Sequence, residues 1–410
     1  MWKWTDSQNI KVLILDANSL NEEYLNFKYS SFNNSIIILK VRQGFETIIS
    51  HSSEISTYLD TDTLLAGIME KFAGVFSTSI IAISSDITFL KSMMRKHIGT
   101  ILTGNITDAN RDYIPDFSSC TTDKIQAILE NRHNGYASEV IACYGHYVPK
   151  MSLIKYSSQI YIGDYQKTYT VYSGGRYYAR GYNFYPQDPL SFLILKFKNE
   201  YIREMDEFFD IAIKNTYISE KADLLTYVPI SNSELKDGRF DRFASLKLPL
   251  CSEKEIKPAS ILEYDKKHAQ KSYDALGRIT NVKDAFSLKH DVDVKGKTII
   301  IIDDIITTGS TSNEIARLLY KNEAEKVIFI VAGLNQRAES YLAYKYLKCS
   351  HCNNDMILRI NFNLKMFFGC KHYTNHSSFN TTLNLQDGLQ QIRNINQLSF
   401  EDLKDTDEEY

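Results

Sequence analysis

One stretch of the sequence, residues 297–311, constrains the fold more than any other. It begins with an unbroken apolar and β-branched run at 298–302, which is typical of a strand covered on both faces in a parallel sheet. Two carboxylates follow at once, then a loop rich in hydroxyl groups, then a helical pattern over 312–320. This order predicts a strand–loop–helix unit with its polar residues at the carboxyl end of a parallel strand, where open α/β sheets bind ligands.

The polar groups of this unit suit a sugar phosphate. Asp303 and Asp304 offer carboxylates to ribose hydroxyls, directly or through Mg²⁺. The loop opens onto a helix N-terminus, whose N–H groups attract anions, and its glycine permits a left-handed backbone and a close ligand. The residues predicted to hold a 5-phosphate are Thr307, Thr308, Gly309, Ser310 and Thr311. Together these groups predict a site for ribose 5-phosphate.

The order hydrophobic strand, Asp-Asp, two residues, Thr-Thr-Gly-x-Thr resembles the motif by which type I phosphoribosyltransferases bind 5-phosphoribosyl 1-pyrophosphate (PRPP). Residues 165–335 as a whole resemble the ComF-like members, through Leu-Lys-Phe at 195–197, Val-Pro at 228–229 and the run 269–286. The resemblance implies Mg²⁺-dependent phosphoribosyl transfer to or from a nucleobase- or amine-like acceptor. It assigns catalytic roles to Asp303, Asp304 and Arg278, and a place at the pyrophosphate-side loop to Ser231.

The first third of the chain predicts a second parallel α/β layer. Apolar runs at 10–15, 79–83 and 99–102 indicate strands, and helical patterns cover 58–76 and 88–96. The short stretch from Glu139 to Cys143 is expected to form a further strand. Strands that alternate with helices favour a Rossmann-like layer in this part of the chain.

Asp16 directly follows the first of these strands, and this arrangement resembles the haloacid-dehalogenase-like (HAD) hydrolases. In that family the aspartate at the end of the first strand is the nucleophile, and a second aspartate two residues later is the acid/base. Here Asn18 takes the second position, and an amide cannot shuttle a proton. The resemblance implies a HAD-like domain with Asp16 as its catalytic residue. A Rossmann-like layer without phosphatase activity is the alternative.

Three cysteines near the end of the chain have the spacing of a metal site. Cys349 and Cys352 form a C-x2-C pair, and Cys370 begins a C-x5-H pattern that ends at His376. The pattern resembles the zinc ribbon of bacterial type I topoisomerases, with histidine in place of the last cysteine, which zinc accepts. We predict that these four residues hold a structural Zn²⁺, because so small a unit needs a staple. His372 is the alternative fourth ligand.

Basic and aromatic side chains are interleaved over 341–376, which suits single-stranded nucleic acid. A ribbon that only packs on the enzyme or on a partner explains the same residues. Two functions therefore remain open for the chain. The leading interpretation is a phosphoribosyltransferase coupled to a HAD-like domain of doubtful activity. The other is a PRPP- or nucleotide-sensing protein, related to competence or stress, that contacts DNA or RNA through the ribbon.

Length and composition bound the remaining choices. A chain of 410 residues favours two or three domains, and a net charge of −3 argues against wholesale nucleic-acid coating. No apolar run reaches the roughly 18 residues of a membrane span, and no signal peptide is visible, so we expect a cytoplasmic protein without membrane contact. The expected divisions are a HAD-like domain at 1–135, a connecting segment at 136–164, a phosphoribosyltransferase domain at 165–340, a zinc ribbon at 341–380, and a C-terminal helix with an acidic tail at 381–410.

Overall fold

The computed structural model describes most of the chain up to residue 337 and parts of the C-terminal region. The described residues are 2–3, 5–31, 36–44, 55–72, 74–75, 77–96, 98–179, 188–230, 235, 238–264, 285–337, 347–354, 356–360, 366–370, 372, 376, 382–384, 387–388 and 391. Arg278 and Ser231, to which the sequence gives roles, lie outside them.

The N-terminal part is a parallel α/β layer, as predicted. Its strands are β1 Val12–Asp16, β2 Ile37–Gln43, β3 Ser56–Tyr58, β4 Ile80–Ser84 and β5 Gly99–Leu102. Its helices are α1 Glu22–Asn26, α2 Thr61–Lys71, α3 Ile87–Arg95 and α4 Thr122–Leu129, and a 3₁₀ turn covers Ser77–Ser79. The sheet order is β3-β2-β1-β4-β5, with every pair parallel. The order reverses between β1 and β4, so the carboxyl ends of these strands line the crevice where such sheets bind ligands.

A second sheet of six strands carries the acidic pair of the opening stretch. The next strands in the chain are β6 Gly135–Tyr136, β7 Met151–Ser152, β8 Ile154–Ile162, β9 Tyr165–Ser173, β10 Arg176–Tyr177, β11 Leu224–Tyr227, β12 Leu262–Tyr264, β13 Phe286–Leu288, β14 Thr298–Ile306 and β15 Lys326–Asn335. The sheet order is β11-β14-β15-β9-β8, and β10 also pairs with β15. Only β8 runs antiparallel to its neighbour. The predicted parallel sheet is confirmed, with β14 between two parallel partners.

Helices cover both faces of this sheet. They are α5 Ala137–Tyr144, α6 Pro189–Phe197, α7 Arg203–Glu220, α8 Pro249–Ser252 and α9 Ser310–Lys321. On one face α5, α6 and α7 pack together, and the aromatic rings of Phe197, Phe209 and Phe243 meet edge-on or tilted in the core. On the other face α9 packs against β8, β13 and β15. Both faces of β14 are therefore buried, which explains its unbroken apolar run.

Two sequence-based expectations for this region were wrong. The run at 139–143 lies within helix α5, whose residues 137–142 are all buried. Such a helix has no polar face, so its sequence lacks the helical period and reads as a buried strand. The expected connecting segment at 136–164 supplies α5 and strand β8, and β8 pairs with β9 along its whole length. A hairpin at Gly163, where φ is +59°, joins the two strands.

The C-terminal module is a small antiparallel sheet of β16 Met356–Ile360, β17 Met366–Cys370 and β18 Thr382–Asn384. Strand β18 lies at the start of the segment 381–410, for which we expected a helix and an acidic tail; residues 387–388 and 391 are helical, and the tail lies outside the described residues. A two-stranded hairpin is marginal alone, and a third strand pairs the free edge of β17. No helix in the part of the chain described above is long and apolar enough to cross a membrane.

The two sheets are joined by a cluster of five buried charged side chains, which we call the interdomain ion cluster. Arg176 of β10 donates from Nε and Nη2 to the carboxylate of Glu139, at 2.8 and 2.9 Å, and from Nη1 to Asp116 at 3.0 Å. Lys3 Nζ lies 2.5 Å from Asp188 and 3.6 Å from Glu139. Each side chain is at most 8% exposed. Lys3 and Asp116 belong to the N-terminal part, so the cluster fixes it to the second sheet.

Candidate active site and candidate metal centre

The acidic pair belongs to strand β14 itself. The strand runs through Asp303 and Asp304 to Ile306, so both acids belong to its carboxyl end. The side chain of Asp303 is 14% exposed and that of Asp304 is 5% exposed. Each carboxylate accepts a hydrogen bond from the next backbone N–H, at 2.8 Å for Asp303 and 2.7 Å for Asp304. Both acids are thus held rigidly at the carboxyl end of a central parallel strand.

Two cations that the sequence analysis did not single out face this pair. Arg242 Nε lies 3.2 Å from Asp304 Oδ2, and its Nη2 lies 3.7 Å from Asp303 Oδ1. Lys198, which follows α6, places Nζ 3.5 Å from Asp304 Oδ2. Lys198 directly follows the Leu-Lys-Phe match at 195–197, and Arg242 follows the Val-Pro match at 228–229. Basic side chains close to those two matched segments were the available signal.

These neighbours shift the pKa values of the two acids in opposite directions. Burial and repulsion from Asp304 raise the pKa of Asp303 to about 7. Burial also opposes ionisation of Asp304, but Arg242 and then Lys198 outweigh it, and they hold the pKa of Asp304 below its ordinary value. The site therefore contains one firmly ionised carboxylate and one that titrates near neutrality, which is typical of functional carboxylates.

The acidic pair fits a divalent cation. Asp304 Oδ2 and Arg242 Nε are both buried and lie 3.2 Å apart, yet neither makes a hydrogen bond among the described residues. A buried acceptor without a donor is costly unless a ligand completes it. Carboxylate oxygens are the ligands that Mg²⁺ prefers in proteins. Asp303 and Asp304 are the residues that would hold such an ion.

The hydroxyl-rich loop lies directly after β14, and α9 begins at Ser310 rather than at 312. Gly309 has φ of +81°, a left-handed conformation that favours glycine. Thr308 Oγ1 and Ser310 Oγ lie 2.8 Å apart, and the N–H of Asn313 closes the first helical turn onto Gly309 O at 2.8 Å. Among the described residues no acceptor takes the N–H groups of Thr311 or Ser312. This leaves donors at the start of α9 for an anion.

A third cation reaches the loop from the N-terminal part. Arg111 follows β5, and its Nη2 donates to Thr308 O at 2.8 Å. The guanidinium also lies against Gly309: a Cβ added to this glycine would be 3.2 Å from Arg111 Nη1. Sequence reasoning missed Arg111 because it is almost 200 residues from the loop.

Asp16, the predicted nucleophile of the N-terminal layer, is 1% exposed. Its Oδ2 accepts hydrogen bonds from Ser19 Oγ at 2.7 Å and from Ser84 Oγ at 2.6 Å, and its Oδ1 accepts from the N–H of Asn18 at 3.0 Å. These bonds engage both carboxylate oxygens. In this conformation Asp16 ties the carboxyl ends of β1 and β4 together and offers no exposed oxygen to a phosphate.

The four predicted zinc ligands come together at one end of the C-terminal module. The ligand atoms of Cys349, Cys352, Cys370 and His376 all lie within 4.8 Å of one another. Cys370 Sγ lies 3.4 Å from Cys352 Sγ and 3.2 Å from His376 Nε2. A tetrahedral Zn²⁺ with bonds of about 2.3 Å to sulfur places its ligands roughly 3.8 Å apart. The cluster therefore fits a tetrahedral metal ion.

The structure favours His376 over His372 as the fourth ligand. His372 is exposed and donates its backbone N–H to Cys370 Sγ at 3.3 Å, whereas the ring of His376 joins the cluster. We expect about one zinc per chain by elemental analysis, loss of that zinc in Cys370→Ser and in His376→Ala, and its retention in His372→Ala. Zinc loss from His372→Ala with retention in His376→Ala would contradict the assignment.

Comparison with known proteins places the acidic pair and the loop in a recognised domain. Residues 266–361 match the phosphoribosyl transferase domain. The chain is also similar to the DNA utilization protein YhgH of Escherichia coli (strain K12) and of Salmonella typhi, with 48% identity over 50 residues in each case. That segment is 12% of this chain and 21% of each relative, so only about a fifth of each relative's length is covered. Asp303, Asp304 and the loop lie within the segment that matches the phosphoribosyl transferase domain.

Proposed function

We propose that this protein is a Mg²⁺-dependent phosphoribosyltransferase that transfers phosphoribosyl between PRPP and a nucleobase- or amine-like acceptor. One observation carries the proposal. At the carboxyl end of β14, the acidic pair lies between a hydroxyl-rich phosphate loop on one side and the cations Lys198 and Arg242 on the other. PRPP has the matching order of groups, with a 5-phosphate, ribose hydroxyls and a pyrophosphate.

Each group then has a defined role. The loop at 307–311 holds the 5-phosphate, and Asp303 and Asp304 orient the ribose hydroxyls. Lys198 and Arg242 neutralise the pyrophosphate as the bond between ribose C1 and the pyrophosphate oxygen breaks. The acceptor nitrogen donates its electron pair to C1, and pyrophosphate leaves with the electrons of the broken bond. Because the positive charge that develops on the ribose lies beside carboxylates, the transition state is stabilised electrostatically.

Pyrophosphate release tests this assignment with a matched pair of lysine variants. We expect PRPP consumption with Mg²⁺ and a suitable nucleobase or amine, and binding of PRPP by calorimetry. Lys198→Met should weaken binding of Mg²⁺-pyrophosphate about tenfold, because it removes one charge-assisted contact. Lys196→Met is the control, since Lys196 lies two residues away and pairs weakly with Glu200 at 3.9 Å.

Two results would contradict the proposal. One is the absence of PRPP binding by the wild-type protein with Mg²⁺. The other is PRPP binding without turnover of any nucleobase or amine, which would favour a sensor.

A second candidate function is nucleic-acid association, either beside the transferase activity or in place of it. It is favoured by the name of the relatives, DNA utilization protein, together with the metal-ligand cluster of the C-terminal module. The Cys370→Ser variant separates this candidate from a purely structural ribbon. A gel shift of single-stranded DNA or RNA by the wild type that is lost in this variant supports it. The absence of any shift by the wild type removes it.

A further inference from the structure

The N-terminal part contributes a buried cation to the phosphate loop. Arg111 lies in the segment between β5 and α4, and its side chain is only 14% exposed. Its Nη2 donates to Thr308 O at 2.8 Å, and Nη1 and Nη2 lie 3.2 and 3.3 Å from the position of a Cβ on Gly309. A guanidinium from one α/β layer thus lies against the loop of the other.

The second sheet itself holds Arg111 in this place. At the end of β15, Gln336 Nε2 donates to Arg111 O at 3.1 Å, and Gln336 Oε1 accepts from the N–H of Ile114 at 2.9 Å. Arg337 then donates from its backbone N–H and from Nε to Asp112, both at 3.1 Å. Since β15 is the parallel neighbour of β14, Arg111 is fixed to the same strand ends that carry the phosphate loop. Its approach to the loop is therefore part of the fold.

The charges around the loop indicate an anion. The N-terminus of α9 has a positive partial charge, and the N–H groups of Thr311 and Ser312 lack acceptors among the described residues. Arg111 adds a full positive charge beside that terminus, where a cation is unfavourable unless an anion lies between them. Its ion-pair partners are Asp108, which is 43% exposed, and Asp112, which lies 3.9 Å away and is 29% exposed. Pairs this close to the surface contribute little. A guanidinium has five N–H donors in a planar fork that matches phosphate oxygens.

We propose that Arg111 binds the 5-phosphate of PRPP, so that the phosphate site is shared between the two α/β layers. The proposal rests on the proposed function and adds a phosphate contact outside the matched phosphoribosyltransferase segment. The N-terminal layer is then required for substrate binding, whatever its own chemistry. This gives a physical reason for joining the two layers in one chain.

Calorimetry with two partial ligands tests the assignment. Ribose 5-phosphate has the 5-phosphate of PRPP but lacks its pyrophosphate. Mg²⁺-pyrophosphate has only the pyrophosphate, which occupies the opposite end of the proposed site. We expect Arg111→Ala to weaken ribose 5-phosphate and PRPP about 10- to 100-fold and to leave Mg²⁺-pyrophosphate unchanged, because one charge-assisted contact is lost. Arg111→Lys should recover part of the affinity, since a lysine keeps the charge without the fork.

Arg337→Ala is the matched control. Arg337 lies at the same junction, where it pairs with Asp112 and lies over the ring of Tyr113. We expect its ribose 5-phosphate affinity to match the wild type. The proposal is overturned if Arg111→Ala lowers the affinity for both partial ligands equally, or leaves the affinity for ribose 5-phosphate unchanged. Arg111 would then only support the loop through its hydrogen bond to Thr308 O. If Arg111→Ala does not fold, the partial affinity of Arg111→Lys decides in the same way. Failure of the wild type to bind PRPP overturns the proposed function as well.

Discussion

Replacing Arg176 with methionine should lower the free energy of unfolding by about 3–5 kcal/mol, the largest effect that we expect from a single substitution in this protein. Arg176 is 5% exposed at the side chain and is the shared partner of Glu139 and Asp116. Methionine fills similar space but leaves both carboxylates buried. Glu139 then keeps Lys3 Nζ at 3.6 Å, and Asp116 keeps only the backbone N–H of Lys3 from this cluster, at 3.1 Å. An unpaired buried charge is far less favourable than a buried pair, because the protein interior replaces its lost hydration poorly.

The effect of Arg176→Met should depend on pH. In the wild type, burial opposes ionisation of Glu139, but Arg176 and then Lys3 outweigh it and hold the pKa of Glu139 well below its ordinary value. A lowered native pKa gives stability that is present above the ordinary value of about 4.3 and is lost as the pH falls through the native pKa. Without Arg176, burial dominates and the carboxyl resists ionisation. The difference in stability between wild type and variant should therefore be largest near pH 7 and shrink towards pH 4.

Urea unfolding of the full chain measures this effect, with two comparisons. Arg203→Met is the control, because Arg203 is 67% exposed and should change stability by roughly 0.5 kcal/mol or less. The double variant Arg176→Met, Glu139→Gln should recover part of the lost stability, since it removes one of the buried carboxylate charges that Arg176 had neutralised. A loss no larger than that of Arg203→Met would show that the buried cluster does not stabilise the joined layers.

Asp303→Asn and Asp304→Asn should both abolish PRPP turnover yet change stability in opposite directions. Asp303→Asn should raise the midpoint of thermal unfolding by on the order of 2 °C at pH 8, because ionising Asp303 is unfavourable in the ligand-free protein. Asp304→Asn should lower it by a similar or larger amount, because it leaves Arg242 and Lys198 without their carboxylate. An asparagine at either position lacks the charge that a Mg²⁺ site needs.

The gain from Asp303→Asn should follow the titration of Asp303. A native pKa of about 7, above the unfolded value of about 3.9, means that wild-type stability falls as the pH rises from about 4 to 7 and then stays reduced. The gain is therefore full at pH 8 and absent near pH 4. Mg²⁺-dependent PRPP binding by the wild type should strengthen from pH 6 to pH 8, since the metal needs the ionised carboxylate. Equal stability changes in the two variants, or a gain that grows as the pH falls, would contradict this division.

Local sequence predicted much of the fold and half of the site. The apolar run before Asp303 predicted a central parallel strand, and β14 is one, because burial on both faces leaves only apolar side chains tolerable. The spacing of Cys349, Cys352, Cys370 and His376 predicted a cluster that the structure forms. Both signals are contained in short segments whose geometry is set by the segment itself. Helix α5 was missed because its buried polar residues hide the helical period.

By itself, the sequence determined what the phosphate loop and acidic pair are made of and where they fall on a strand. Only the tertiary structure decided which charges surround them. Lys198, Arg242 and Arg111 reach β14 and its loop from three distant segments, and no local pattern distinguishes them from surface cations. Their positions follow from parallel strand order and from the docking of the N-terminal layer. Charges interact through space, so the electrostatic environment of this site depends on tertiary packing. The hydrophobic pattern along the chain determines only the strands and helices that carry the site.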